Sequence, residues 1–151
     1  MDMIDRIRDT TESHDRCSVV EVMGRRCGDI ALNTGIAVGA IATLVPEVEI
    51  DFERDLIERI KFAQQTGKRH FIVVVAEGVG HTEELCKRIQ EETGIESRAT
   101  ILGHVQRGDG KSNRVVVMQG ERITDFDITE ALNMPRVFDE KLYEISQNLS
   151  R

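Results

Sequence analysis

Residues 71–76 read Phe-Ile-Val-Val-Val-Ala, six apolar side chains with no polar interruption. A strand sends alternate side chains to opposite faces, so such a run needs apolar cover on both. That places the segment HFIVVVAEG (70–78) at the centre of a parallel sheet with helices above and below. The rest of the chain supplies matching parts. CSVVEVMG (17–24) is a second buried strand closed by glycine, ATLVPE (42–47) a third stopped by Pro46, and RATILGH (98–104) a fourth. Helical stretches alternate with them, starting with the acidic N-terminus MDMIDRIRDT. A largely buried helix is expected from Cys27 to Ala40, with Gly28-Asp29 as its polar opening. Residues 53–66 set Leu56, Ile57, Ile60 and Ala63 on one stripe and end at Gly67. Thr82 is expected to cap a helix running through Leu85, Cys86 and Ile89 to Gly94. This order predicts an α/β fold: a three-layer sandwich around a mainly parallel, Rossmann- or flavodoxin-like sheet.

After Gly110 the rhythm changes. NRVVVMQGERITDFDI (113–128) reads as a hairpin turning near Gln119-Gly120-Glu121. A short helix over 128–133, Pro135 and a last helix around Lys141–Leu149 complete the chain. RGDGKSN (107–113) is the most linker-like stretch, yet 151 residues suit a single domain spanning 1–151. Apolar residues make up 40% and charged residues 31%, enough for a core without disulfide staples. No apolar run approaches the roughly 20 residues that cross a bilayer, and the N-terminus has no apolar signal core. Cys17, Cys27 and Cys86 are odd in number and widely spaced, which reads as reduced, inert thiols on apolar faces. These features point to a cytoplasmic protein without a membrane partner. A net charge of −7 and 4% aromatics with no Trp argue against nucleic acid as a partner.

Ligands of open parallel sheets gather beyond the carboxyl ends of the strands. The sequence places Met23-Gly24-Arg25 there after the first strand, Glu77-Gly78 after the third and His104 after the fourth, with Gln106-Arg107-Gly108 behind it. Arginine suits phosphate through its planar fork, a helix opening after Gly24 adds backbone donors, and the Glu77 carboxylate suits sugar hydroxyls. On spacing alone two readings stand side by side: a site for a phosphorylated polyol, or a set of solvated strand-end charges. Arg107-Gly108-Asp109 spells an adhesion tripeptide, taken as chance or as a joint, and GIAVG (35–39) marks tight helix–sheet packing.

VVEVMGRRCGD (19–29), VVVAEG (73–78) and ESRATILGHVQRG (96–108) resemble motifs of bacterial ATP-dependent 6-phosphofructokinase, in the family's order and near its spacing. DRIRDTTESHDR (5–16) and the hairpin-plus-helix fit the same family, so the resemblance covers essentially the whole chain. It corresponds to the C-terminal, fructose 6-phosphate-binding domain. It implies that Met23, Gly24, Arg25, Glu77, His104 and Arg107 line the sugar-phosphate site of their own subunit. Arg16 and Arg98 would reach into a neighbouring subunit's site, where they and His104 surround the 6-phosphate, while Glu77 takes ring hydroxyls. Arg25 would be the catalytic cation, stabilising charge on the transferred phosphoryl group. Arg8, Lys68 and Arg69 match basic positions of the family's allosteric nucleotide site. Ile41 departs from it: many relatives carry there a glutamate that works with the effector's magnesium.

The resemblance also implies parts that these residues lack. A nucleotide domain with a glycine-rich ATP loop and an aspartate base in G-T-I-D-N-D has no counterpart here, and Asp109 and Asp125 stand in the wrong context to replace that base. The family's QRGG continues into a P-x-x-x-D-R-x-x-A helical segment, whereas Gly108 runs through Asp109-Gly110-Lys111 toward the Val115 strand. The expectation is an internal deletion with an engineered joint near 108–113. Three functions follow from the resemblance. The first is an isolated substrate-binding and regulatory domain of 6-phosphofructokinase, inactive alone, whose parent phosphorylates fructose 6-phosphate in glycolysis. The second is an enzyme active once a separate nucleotide domain complements it, and the third an engineered stand-alone scaffold that binds nothing. For the first, the expected partners are fructose 6-phosphate, held weakly, the missing nucleotide-binding domain, and further copies of the chain. ATP and Mg2+ belong to the parent family, and no cofactor is expected in this chain.

Overall fold

A computed structural model describes residues 2–106, 114–119, 122–127, 129–130, 133–135 and 137–149. The chain divides into two compact units, Met1–Gln106 with Phe138–Arg151, and Arg107–Val137. The first of these boundaries falls at the segment read as linker-like. The 107–113 stretch and three of the six residues of the helix expected over 128–133 lie outside the described residues.

In the larger unit, β1 (Cys17–Val22), β2 (Ala42–Leu44), β3 (Phe71–Ala76) and β4 (Ser97–Ile101) form one sheet in the order β2-β3-β1-β4. All three pairings are parallel, with Cys17 opposite both Phe71 and Ser97 and Ala42 opposite Val73. The run that anchored the sequence reading is an inner strand, and its six residues are all buried. Its alternation explains the layers. Phe71, Val73 and Val75, with Cys17 and Val19 of β1, pack against α3 (Glu58–Gln65) and α4 (Thr82–Thr93) through Ile60, Ala63, Cys86 and Ile89. Ile72, Val74 and Ala76, with Val20 and Val22, pack on the other face. There Ile4 of α1 (Asp2–Ser13), Ala31 and Val38 of α2 (Asp29–Val38) and Tyr143 of α5 (Glu140–Leu149) cover them. The fold is therefore the expected three-layer α/β sandwich. The smaller unit holds an antiparallel hairpin of β5 (Arg114–Gln119) and β6 (Arg122–Asp127), with Gln119 opposite Arg122 at its end.

Local chemistry sets the boundaries. Helix α2 stops at Gly39, whose φ of 61° is left-handed and whose N–H donates to Ile36 O at 3.1 Å. Within α2, a Cβ on Gly35 would fall 2.1 Å from Thr43 Oγ1, so this glycine lets the helix lie directly on β2. The stripe read as one helix over 53–66 is in fact a π-helical turn, Glu53–Ile57, followed by α3. Thr82 does not cap α4. It is the first helical residue and buried, and its hydroxyl donates to the Glu21 carboxylate, while His81 occupies the cap position with φ 56°. A half-buried acceptor on β1 outcompetes the helix's own amides for that hydroxyl.

The cysteines also divide. Cys17 and Cys86 are core thiols, but Cys27 is half-buried in the loop after β1, its Sγ donating to the Asp29 carboxylate at 3.1 Å. Burial pushes the Cys17 thiol from an ordinary 9.0 up to about 12, and Cys86 up to about 11. Below pH 9 both thiols are protonated in the folded and unfolded chain alike, and their contribution to stability is fully present. As pH rises through 9.0 toward about 12 the unfolded chain ionises first, so that contribution is lost. Urea titrations should therefore give a midpoint that falls with pH in this range, and falls less in Cys17→Ala. A native-state thiol reagent should label Cys27 well before Cys17. Equal labelling of the two, or the same pH slope in Cys17→Ala, would contradict this placement.

Candidate functional site

The loop that leaves β1, Met23 to Gly28, is fastened at three points by side chains that stand beyond the other strands. Met23 N–H donates to Gln106 Oε1 at 3.0 Å, Arg25 N–H to Glu77 Oε1 at 2.8 Å, and Gly28 N–H to Glu47 Oε1 at 2.7 Å. Gln106 follows β4, Glu77 follows β3, and Glu47 follows β2. Cys27 N–H closes the turn on Gly24 O at 2.9 Å. Two glycines make this approach possible. A Cβ on Gly24 would sit 2.3 Å from Cys27 O, and one on Gly78 2.2 Å from Arg25 O. Arg25 itself has φ 53°, a left-handed geometry that costs a non-glycine residue about 1–2 kcal/mol. The three side-chain acceptors hold it there. Neither Glu47 nor Gln106 was assigned a role by sequence reasoning. Gln106 was noted only as a neighbour of His104, and Glu47 only as the residue after the strand-stopping proline.

The fastened loop brings Met23, Gly24, Arg25 and Glu77 to one rim. Arg25 and Arg26 are exposed, and Met23 and Gly24 half-buried. The Glu77 carboxylate has already committed one oxygen to the loop, and among the described residues its Oε2 accepts no hydrogen bond. His104 is reached by a 3-10 turn, Gly103–Gln106, at the same strand end; its side chain and all of Arg107 lie outside the described residues.

Arg16 and Arg98 are elsewhere. Arg16 precedes β1 and Arg98 is the second residue of β4, so both stand at the amino ends of their strands. With about 3.3 Å of rise per residue, the five or more steps along β1 separate them from Met23 at the rim by at least about 17 Å. There they share the carboxylate of Glu96, at 2.9 Å from each. Arg8 and Lys68 line a common cavity of about 260 Å³ with Glu12, Gly39 and His70, and Arg8 Nη2 donates to Val38 O. Arg69 is not among its lining residues: it is exposed, with Nη1 3.4 Å from Asp15. Ile41 is 3% exposed within the core, its N–H donating to Ile72 O at 2.8 Å. Among the described residues no group of three His, Cys, Asp or Glu side chains is placed to hold a metal ion. No helix among them is long and apolar enough to cross a membrane.

The family model described as Phosphofructokinase matches residues 1–120. The chain belongs to the phosphofructokinase family. Among similar proteins, the ATP-dependent 6-phosphofructokinase 1 of Clostridium perfringens is 46% identical over 174 aligned positions, covering 100% of this chain and 54% of that protein. The ATP-dependent 6-phosphofructokinase of Clostridium acetobutylicum is 43% identical with the same coverage. The chain thus spans about half the length of these relatives. Phosphofructokinase from Pichia pastoris in the T-state superposes with a TM-score of 0.73 at 20% identity, over 98% of this chain and 24% of that one. The Saccharomyces cerevisiae phosphofructokinase gives 0.67 at 23% identity, over 98% and 23% of the two chains. At such identities these two likenesses speak for the fold, and they place the three-layer sheet within larger phosphofructokinase chains.

Proposed function

We propose that these 151 residues are the fructose 6-phosphate-binding half of an ATP-dependent 6-phosphofructokinase, shortened near 108–113 and unable to transfer a phosphoryl group by themselves. The observation that carries the reading is the fastened loop. It presents Arg25 beside a carboxylate, Glu77, that keeps one oxygen for sugar hydroxyls. In this reading Met23, Gly24 and His104 belong to the subunit's own share of the site, and Arg25 is the cation for the transferred group. The shortening is supported by the alignment to the Clostridium perfringens relative. It extends over 174 positions while this chain supplies 151 residues, so at least 23 positions have no residue here.

The separation of Arg16 and Arg98 from the rim supports a site completed between copies. A sugar phosphate held at the rim cannot touch arginines about 17 Å away on the same chain, so a second copy must bring them. The shared cavity of Arg8 and Lys68 supports an effector site, with Arg69 at its outside. With Ile41 buried, nothing at that position recruits magnesium for the effector. ATP, Mg2+ and the catalytic base come with the nucleotide-binding domain, and the working location is the cytoplasm.

A lone copy has half of the phosphate grip, so its affinity for fructose 6-phosphate is expected at about 1 mM or weaker, near −4 kcal/mol. Calorimetry with amide chemical shifts checks this: weak saturation with shifts at Gly24 and Glu77 is the expected result. Micromolar binding to a monomer, or no shift at either residue at roughly tens of millimolar sugar phosphate, would contradict it.

A further inference from the structure

Glu96 has no part in the roles described so far. Its carboxylate is divided between two cations. Oε2 accepts from Arg16 Nε at 2.9 Å, and Oε1 accepts from Arg98 Nε at 3.0 Å and lies 2.9 Å from Arg98 Nη2. Among the described residues it is the one carboxylate within ion-pair distance of either arginine. Both arginines, with Arg6, line a cavity of about 240 Å³ to which Thr10, Thr11, Ser18 and Thr100 add hydroxyls. Beside Ile7, three guanidinium groups and four hydroxyls face one void, donor-only and donor-capable groups whose chemistry recognises a phosphate or sulfate. The Arg98 pair is weakly held: the side chains of Glu96 and Arg98 are 47% and 62% exposed, against 18% for Arg16, and exposed pairs contribute little and are screened by salt. A dianion carries twice the charge of Glu96 and can serve both forks at once.

We propose that Glu96 is an internal stand-in for phosphate: it holds Arg16 and Arg98 side by side in the empty chain and yields them to a dianionic oxyanion. The inference rests on the reading of Arg16 and Arg98 as phosphate-gripping side chains. It makes Glu96 a positioning residue before binding and a competitor during it, so its removal tightens anion binding instead of weakening it. The two arginines beside it also hold the Glu96 carboxyl below the usual carboxylate range, Arg16 contributing most.

Sulfate is the probe, because its charge is constant near neutral pH, and binding is followed at the Nε–H signals of Arg16 and Arg98. Glu96→Gln keeps the shape and removes the charge. It is expected to bind sulfate about fivefold more tightly than the parent, the scale of one exposed ion pair. Free phosphate and a phosphorylated sugar share this chemistry. Fructose 6-phosphate followed at the same signals should show the same gain, since Glu96 competes with charge alone. The parent chain supplies a readout that needs no variant. By reciprocity, saturating sulfate should raise the titration midpoint of the Glu96 carboxyl toward its ordinary value, seen in its carboxyl carbon shift. Four results overturn the proposal: no sulfate binding to either protein, sulfate binding in folded Glu96→Gln equal to or weaker than in the parent, a gain confined to the sugar, or a Glu96 midpoint that ignores bound sulfate. A chain that passes these tests but shows no fructose 6-phosphate shifts at Gly24 and Glu77 keeps this inference and loses the sugar reading of the rim.

Discussion

Phe71→Ala is expected to lower the unfolding free energy by about 3–5 kcal/mol. Phe71 is fully buried at the start of the inner strand β3, in the cluster that holds Ile57, Ile60 and Ile89. Its N–H donates to Arg16 O at 2.9 Å, and the Lys68 ammonium lies 5.9 Å from its ring centroid. Truncation therefore leaves a cavity where two strands and two helices meet, and a helix layer resting on a rigid sheet collapses into it only in part. A domain of this size is stable by about 5–15 kcal/mol, so the loss is a large share of the total. In urea the midpoint should fall by roughly 2 M for a slope near 2 kcal/mol/M, with the slope unchanged. Phe62 gives the contrast. It is 57% exposed on α3, and Phe62→Ala should stay within about 0.5 kcal/mol of the parent. A loss below about 1 kcal/mol for Phe71→Ala would mean that the two-sided packing of the sheet is wrong.

The sheet was legible because burial on both faces leaves a strong trace in sequence. Phe71–Ala76 has no polar residue where an exposed strand would need several, Cys17–Val22 has only Ser18 and Glu21, and Gly94 stands where a helix must end. What escaped were contacts between residues far apart in the chain. Thr82 looks like a cap by every local rule, and only the fold brings Glu21 to its hydroxyl across 61 residues. Helix α2 opens at Asp29 and not at Cys27: its ladder starts with Leu32 N–H on Gly28 O, and Glu47, 19 residues away, accepts from the Gly28 N–H ahead of it. The rim was partly readable. Strand ends named Met23, Gly24, Arg25 and Glu77 as neighbours, since topology alone sets that. That Glu77 spends one oxygen on the Arg25 amide was not readable, because an acceptor for a backbone N–H has no signature of its own. Glu96 lay within a motif that carried the family resemblance, yet a glutamate between two arginines reads as an ordinary solvated charge until the side chains are placed.

The largest effect expected is the loss of all turnover. Enzymes hasten reactions of this kind by factors from about 10⁶ upward, and for phosphoryl transfer that factor comes from positioning the nucleotide, its magnesium and an oriented base. Among the described residues the rim offers Arg25 and Glu77. A cation that stabilises the transferred group contributes nothing when no group arrives. Restoring Arg16 and Arg98 through a second copy would tighten the grip on the sugar phosphate without supplying a donor, so higher protein concentration should raise affinity and leave the rate unchanged. The decisive measurement is a coupled assay on the 151-residue chain with ATP, Mg2+ and fructose 6-phosphate and no other phosphofructokinase polypeptide. No ATP consumption above the sugar-free control is the expected result; sugar-dependent consumption that follows the chain through purification would contradict the proposal that phosphoryl delivery lies outside these residues.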